Sequence, residues 1–412
     1  MDVKQAVRGV LLPLGLLFPL FFLLSGRIYS APDSPVWDSG GAIGAVPLPI
    51  SLPLCFASIV LIGAWPAARR ELVFALAFCA AMAAATALAL GFERPKLILL
   101  VQFAIPAGAL VLGAMTDRRD DRALAATWLV FVPLFMAAQL YFAWADQHML
   151  AVHHHMRFFS VYQHRQFVPV VLASAYLVAA FGVWRLPSGR PAVILSAPLV
   201  MFYAMLSVSL LAIGILAMGF LLLAAVERRT RAWLVLVGCA IAVALAVLAI
   251  RSGATGAAVE TVEEKLPVLV ERDAAVAATQ APAKLPPNFE RRLQDWALYG
   301  KGIVESPLAA IVGHARPIDR AVSTSAHNYY LDLTYNFGLL GLLPFAWLIV
   351  LTLRSLWRAR DRVRGDLPLI GLAFVAVFLT LIDNSFKVSF RQPYPGIFGF
   401  FLWGWLLSRL RG

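Results

Sequence analysis

Charge is scarce in this 412-residue chain: Asp, Glu, Lys and Arg together make up 14%, against 61% hydrophobic residues. With a mean hydropathy of +0.78, that excludes a soluble globular protein, because the apolar surface far exceeds what one core can bury. Cysteine is almost absent. Cys55, Cys79 and Cys239 each fall inside an apolar run, where a free thiol packs as a small apolar side chain. No loop carries one, so disulfide staples and a cysteine-type metal site are excluded. Ionisable residues are scarce at the centres of the apolar runs and the two halves show no inverted repeat, which argues against a transporter or channel. Acidic residues are the minority, leaving a net charge of +12. The basic residues nevertheless fall in short clusters between apolar runs, the pattern of membrane topology and not of a nucleic-acid-binding face.

What is present is a series of apolar stretches, each about 20 residues long, the length that crosses a bilayer. They predict an all-α polytopic membrane protein of twelve helices, near 8–25, 47–66, 72–91, 97–115, 123–143, 167–184, 191–205, 208–226, 232–250, 327–352, 367–385 and 394–409. Residues 191–226 are too long for one crossing and have no charged break, so a tight hairpin is expected at Ser207–Ser209. Spans one to nine occupy 1–250, a large outer loop 251–326, and spans ten to twelve 327–412. Lys4 with Arg8, Arg69 with Arg70, the Arg118–Arg122 and Arg228–Arg231 clusters, and the run from Arg354 to Arg364 all fall on one side. The opposite short loops hold only Arg27, Arg94, Lys96, Arg157, Arg165, Lys387 and Arg391. By the positive-inside rule both termini are cytoplasmic and the large loop faces outward. The first span resembles a signal peptide, but its apolar run is long for one and it is read as a retained helix.

Within that outer surface the loop 144–166 carries His148, His153, His154, His155 and His164. With Asp146 the one carboxylate close in sequence, it reads as a polar interfacial surface and not as a metal site. Arg165, beside Tyr162 where the sixth span begins, offers a planar fork of donors suited to a diphosphate. Glu93–Lys96 reads as a short outer turn whose charges mark the interface, and Asp383, Asn384, Lys387 and Arg391 as another outer loop.

In the large loop, Pro282, Pro286 and Pro287 separate two helical segments. From Asn288 onward, Phe289, Arg292, Leu293 and Trp296 recur at helical spacing and share a face, while Arg291 meets Asp295 at i+4 in a surface ion pair. The loop ends in Ser323–Gly341, reading STSAHNYYLDLTYNFGLLG. With Ser325 as N-cap, His327 would lie in the first turn with Tyr330, Leu331 and Thr334 on its face. The positive end of the helix dipole would then favour a neutral imidazole, able to accept a proton.

His327-Asn328-Tyr329-Tyr330-Leu331 followed by Gly338-Leu339-Leu340-Gly341 resembles the HNxxL box and downstream G-x-x-G of the bacterial O-antigen ligase and O-antigen polymerase family. Arg292-Leu293-Gln294-Asp295-Trp296, then Pro307, Gly313 and His327, is similar in order and spacing to that family's periplasmic loop. One departure is the 206–210 turn, Leu-Ser-Val-Ser-Leu, where members often carry an arginine. The resemblance implies an inner-membrane glycosyltransferase, without cofactor or metal, that uses a polyprenyl-diphosphate-linked glycan as donor. Its acceptor would be lipid A-core for a ligase, or a growing glycan for a polymerase. His327 would be the base, Arg292 and Arg165 would contact the diphosphate, with Arg157 or Arg272 as substitutes for the missing arginine, and Asn328 and Tyr330 would orient the acceptor or the histidine.

Overall fold

The computed structural model describes residues 9–10, 12–17, 68–145, 167–228, 231–252, 287–319, 322–323 and 325–411. These residues are mostly helical, with no strand among them. Among the described residues, seven helices are long and apolar enough to cross a membrane: Arg69–Leu88, Arg94–Ala114, Asp121–Tyr141, Gly189–Leu206, Trp233–Arg251, Tyr329–Arg358 and Leu367–Phe386. Two shorter apolar helices, Val168–Val183 and Leu210–Val226, accompany them. This is an all-α, multi-pass membrane protein. A helix lies under every expected span from 72 onward; the 47–66 span and most of 8–25 fall outside the described residues.

The chain divides into two units, 128–294 and 1–127 with 295–412. In the first, the Val168–Val183 helix is buried almost throughout. Its Tyr176 hydroxyl hydrogen-bonds the Ser196 hydroxyl at 2.8 Å and donates to the Val193 carbonyl at 3.1 Å. The expected hairpin is present: the Gly189–Leu206 helix stops at Ser207, Val208 adopts a left-handed backbone at φ +48°, and a new helix starts at Leu210.

In the second unit the Pro393–Arg411 helix is almost wholly buried, packed along Arg94–Ala114. One end is locked by Asp121, which accepts hydrogen bonds from Arg409 Nε at 2.7 Å and Trp405 Nε1 at 3.0 Å. The middle is an aromatic stack of Tyr329, Phe345, Phe390, Phe400 and Trp403.

The feature that shapes the other end is a break in the Tyr329–Arg358 helix at Gly338, where φ is +61° and ψ −166°. A short helix, Pro307–Val312, lies across the break. Ser306 caps it by accepting from Ala309 N, Pro307 occupies its first turn, and Gly313 ends it at φ +76°. The two glycines fit into one another's backbones: a Cβ on Gly338 would stand 2.2 Å from Ile311 O, and one on Gly313 2.4 Å from Asn336 O. Both also need a positive φ, where a Cβ strains the backbone. Gly338→Ala is therefore expected to lose roughly 1–3 kcal/mol from strain alone, with the overlap added to it. Gly300→Ala, in a helix with nothing within 4 Å of the new Cβ, should be neutral or slightly stabilising. Melting of the purified variants in detergent checks the contrast; equal melting points would remove the close approach from the account.

Candidate functional site

Breaking a helix frees carbonyls that must find donors. At Gly338 two are answered from elsewhere in the unit. His314 N donates to Tyr335 O at 3.0 Å, and the ammonium of Lys96 donates to Asn336 O and, at 2.8 Å, to His314 O. Lys96 is fully buried, with its Nζ 4.4 Å from the Phe337 ring centroid. A cation at the C-terminal end of the half-helix 329–337 also suits its dipole. The expected interfacial turn at Glu93–Lys96 is thus corrected: Glu93 does pair with exposed Arg316, but Lys96 points inward to hold the break.

The other end of the half-helix is held as tightly. Asn328, not Ser325, is the N-cap, its Oδ1 accepting from Tyr330 N at 3.0 Å and Leu331 N at 3.1 Å. Its Nδ2 donates to Ser385 O at 3.1 Å. His327 accordingly precedes the helix and does not share a face with Tyr330, Leu331 and Thr334. It is half-buried, with a left-handed backbone at φ +48°, and its amide donates to Ser325 Oγ at 3.2 Å. The Tyr330 hydroxyl donates to Thr380 O, a carbonyl in the π-helical turn Phe378–Asp383. Such turns widen a helix and expose carbonyls to partners outside it.

One turn into the half-helix, Asp332 is 1% exposed and pairs with Arg391 at 2.6 Å. Asn336 Nδ2 donates to its Oδ1 at 3.1 Å, and the Lys96 charge also acts on it. Beside this lies a second buried pair, Lys387 with Asp383 at 3.5 Å; Asp383 also accepts from the Ser389 hydroxyl. Asn384 Oδ1 caps the amide of Phe390 at 3.2 Å. Asp383, Asn384 and Lys387, assigned above to an outer loop, are buried, and Arg391 is nearly so. Each charge has its counter-charge, and that is what makes burial tolerable.

The Pro287–Ile303 helix brings Asp295 and Tyr299 into the same unit on one buried face. Asp295 Oδ1 accepts from the Ser323 hydroxyl at 2.7 Å, so it serves inside and not in a surface pair with Arg291. Trp296 meets the Phe386 ring at 6.1 Å, and Tyr299 meets Tyr335 at 5.1 Å. Burial, reinforced by the nearby Asp332 carboxylate, raises the Tyr299 phenol above its ordinary range, with Arg391 opposing. The phenol stays neutral. Several buried polar atoms here have no hydrogen-bond partner among the described residues: Asn384 Nδ2, Asn336 Oδ1, Asp295 Oδ2 and Arg391 Nε.

Of the expected site residues, His327, Asn328 and Tyr330 lie together at the start of the half-helix. Arg292 belongs to the 128–294 unit and sits half-buried on its helix, where Phe289 and Leu293 are exposed and Trp296 is half-buried. Arg157, Arg165 and Arg272 lie outside the described residues, as do Cys55 and the histidines of the 144–166 loop. Lys96, Asp332, Asp383, Lys387 and Arg391 were not anticipated as one cluster. A signal did exist: Asp332 stands between Leu331 and Leu333 in the first turn of a largely apolar helix, and a carboxylate there demands a buried partner. No protein-family model matches the chain, and no curated protein matches it.

Proposed function

We propose that the chain is an O-antigen-ligase-like glycosyltransferase of the bacterial inner membrane. It transfers a glycan from polyprenyl diphosphate to a hydroxyl of lipid A-core at the periplasmic face, with both termini cytoplasmic. The observation that carries this reading is the His327 corner. An imidazole on a strained left-handed backbone sits half-buried beside a cap fixed by three hydrogen bonds, at the start of a half-helix whose Asp332 is paired with Arg391 and whose far end is held by buried Lys96. Strain of this kind is kept where surroundings over-determine it, and it is common where a side chain must be aimed.

In the proposed reaction the acceptor hydroxyl gives its proton to His327, and its oxygen attacks the anomeric carbon from the side opposite the diphosphate. The bond from that carbon to the diphosphate oxygen breaks, the oxygen keeps both electrons, and the configuration inverts. Guanidinium groups take the developing negative charge, so no metal is required. Arg292 and Arg165 remain the proposed contacts, with Arg157 and Arg272 as the other candidates; the Arg391 guanidinium is already committed to Asp332. Asn328 and Tyr330 act indirectly, since the cap and the Thr380 bond occupy their polar groups.

Purified protein given polyprenyl-diphosphate glycan and lipid A-core, with EDTA present, is expected to yield the capped product. No transfer, or transfer only with added divalent metal, overturns the reading. In cells, silver-stained lipopolysaccharide from a deletion strain separates the two family activities. Loss of all capped molecules indicates a ligase; retention of single-repeat molecules indicates a polymerase.

A transport reading draws support from one observation, the broken helix beside buried ion pairs, since discontinuous helices and buried charges line the routes of many transporters. Flux of labelled substrate into proteoliposomes without glycan transfer would favour it.

A further inference from the structure

The far end of the Tyr329–Arg358 helix carries a feature that the glycan chemistry does not use. Leu339, Leu343, Trp347 and Val350 are all exposed along one side of it, and the same stripe continues as Arg354, Trp357 and Arg358. The spacing of three and four residues keeps them on one face. From Leu339 to Trp357 the helix rises about 27 Å at 1.5 Å per residue, close to the roughly 30 Å hydrocarbon thickness of a bilayer. An exposed apolar stripe of that length, ending in a tryptophan and guanidiniums, places the latter at the level of lipid headgroups.

The chain then turns through the short helix Arg360–Gly365. Arg362 faces inward, donating to Arg409 O at 2.9 Å, and so ties this turn to the end of the last helix. Arg360 is held over the Trp357 ring at 5.2 Å. Arg364 points outward with an 80% exposed side chain. Among the described residues, Asp361 is the carboxylate within 4.0 Å of Arg360 and Arg364, and at 84% exposure it offsets only part of their charge. At the same end, Arg409 and Arg411 are instead neutralised by Asp121 and Glu71.

We infer that Arg358, Arg360 and Arg364, with Trp357 at the glycerol level, form a binding surface for the phosphate headgroup of an anionic phospholipid. The guanidiniums supply planar donors for the phosphate, and the indole packs beside the acyl chain. The inference is independent of the proposed enzymatic activity.

Native mass spectrometry of the full chain with phosphatidylglycerol or phosphatidylcholine of identical acyl chains tests it. Phosphatidylglycerol should be retained at least about tenfold more tightly. The triple variant Arg358→Gln, Arg360→Gln, Arg364→Gln should lose about fivefold per arginine, roughly 10²-fold in all. Trp357→Ala should weaken both lipids alike. If the triple variant does not fold, Arg364→Gln alone carries the test through its fivefold loss. Equal retention of the two lipids by the unaltered protein, or unchanged phosphatidylglycerol binding in a folded variant, overturns the inference. So does inorganic phosphate displacing phosphatidylglycerol at equal concentration, because the surface would then read free phosphate and not a lipid.

Discussion

Replacing His327 by asparagine is expected to lower glycan transfer by about 10²–10⁴-fold, the usual contribution of a positioned general base, while insertion and melting stay close to those of the unaltered protein. Asparagine is the informative choice because of the backbone. His327 has φ +48°, a region that asparagine tolerates better than most residues and alanine does not. His327→Ala removes the base but also strains the turn before Asn328, so its loss of activity would mix two causes. His327→Asn keeps the turn and removes only the imidazole. Transfer at the unaltered rate by a folded His327→Asn protein would rule this histidine out as the proton acceptor, and with it the mechanism proposed above.

The second large effect concerns stability. Asp332→Asn is expected to destabilise the protein by roughly 3–5 kcal/mol, because it leaves Arg391 without its counter-ion in a buried setting. Arg391→Met should cost less, since Asp332 would still feel the charge of Lys96. Removing Asp332 strands Arg391 and also takes a favourable charge away from Lys96, which keeps its carbonyl partners, whereas removing Arg391 strands part of one anion. Combining the substitutions should cost clearly less than the sum of the single losses, because a pair removed whole leaves no uncompensated charge. Melting of the three variants in one detergent gives the comparison. Strict additivity would show that the 2.6 Å pair contributes no coupling, and that the half-helix is held by its cap and by Lys96 alone.

The spans were legible because the bilayer makes a demand that a linear sequence can display. A crossing needs an unbroken apolar run of set length, so the expected 72–91, 97–115 and 232–250 became Arg69–Leu88, Arg94–Ala114 and Trp233–Arg251. The Ser207–Ser209 hairpin was legible for the same reason: too many apolar residues for one crossing. The cap was misread because Ser325 and Asn328 are both good cap residues. Only the folded chain shows that Asn328 can donate to Ser385 O as well as accept from the helix. Gly338 was noted as half of a G-x-x-G motif, but its role depends on Gly313 and the Pro307–Val312 helix lying across it.

By itself, then, the sequence determined a helical membrane chain and the lengths of most of its spans; it put His327 inside the first turn of a helix that in fact starts after it, at Tyr329. The first two follow from local composition and spacing, which act over a few turns at most. Tertiary structure alone decided that Lys96 meets Asn336 and that Asp332 meets Arg391. A buried charge is stable only when an opposite charge or a freed carbonyl reaches it, and which distant residue does so depends on how the helices pack, not on any pattern along the chain.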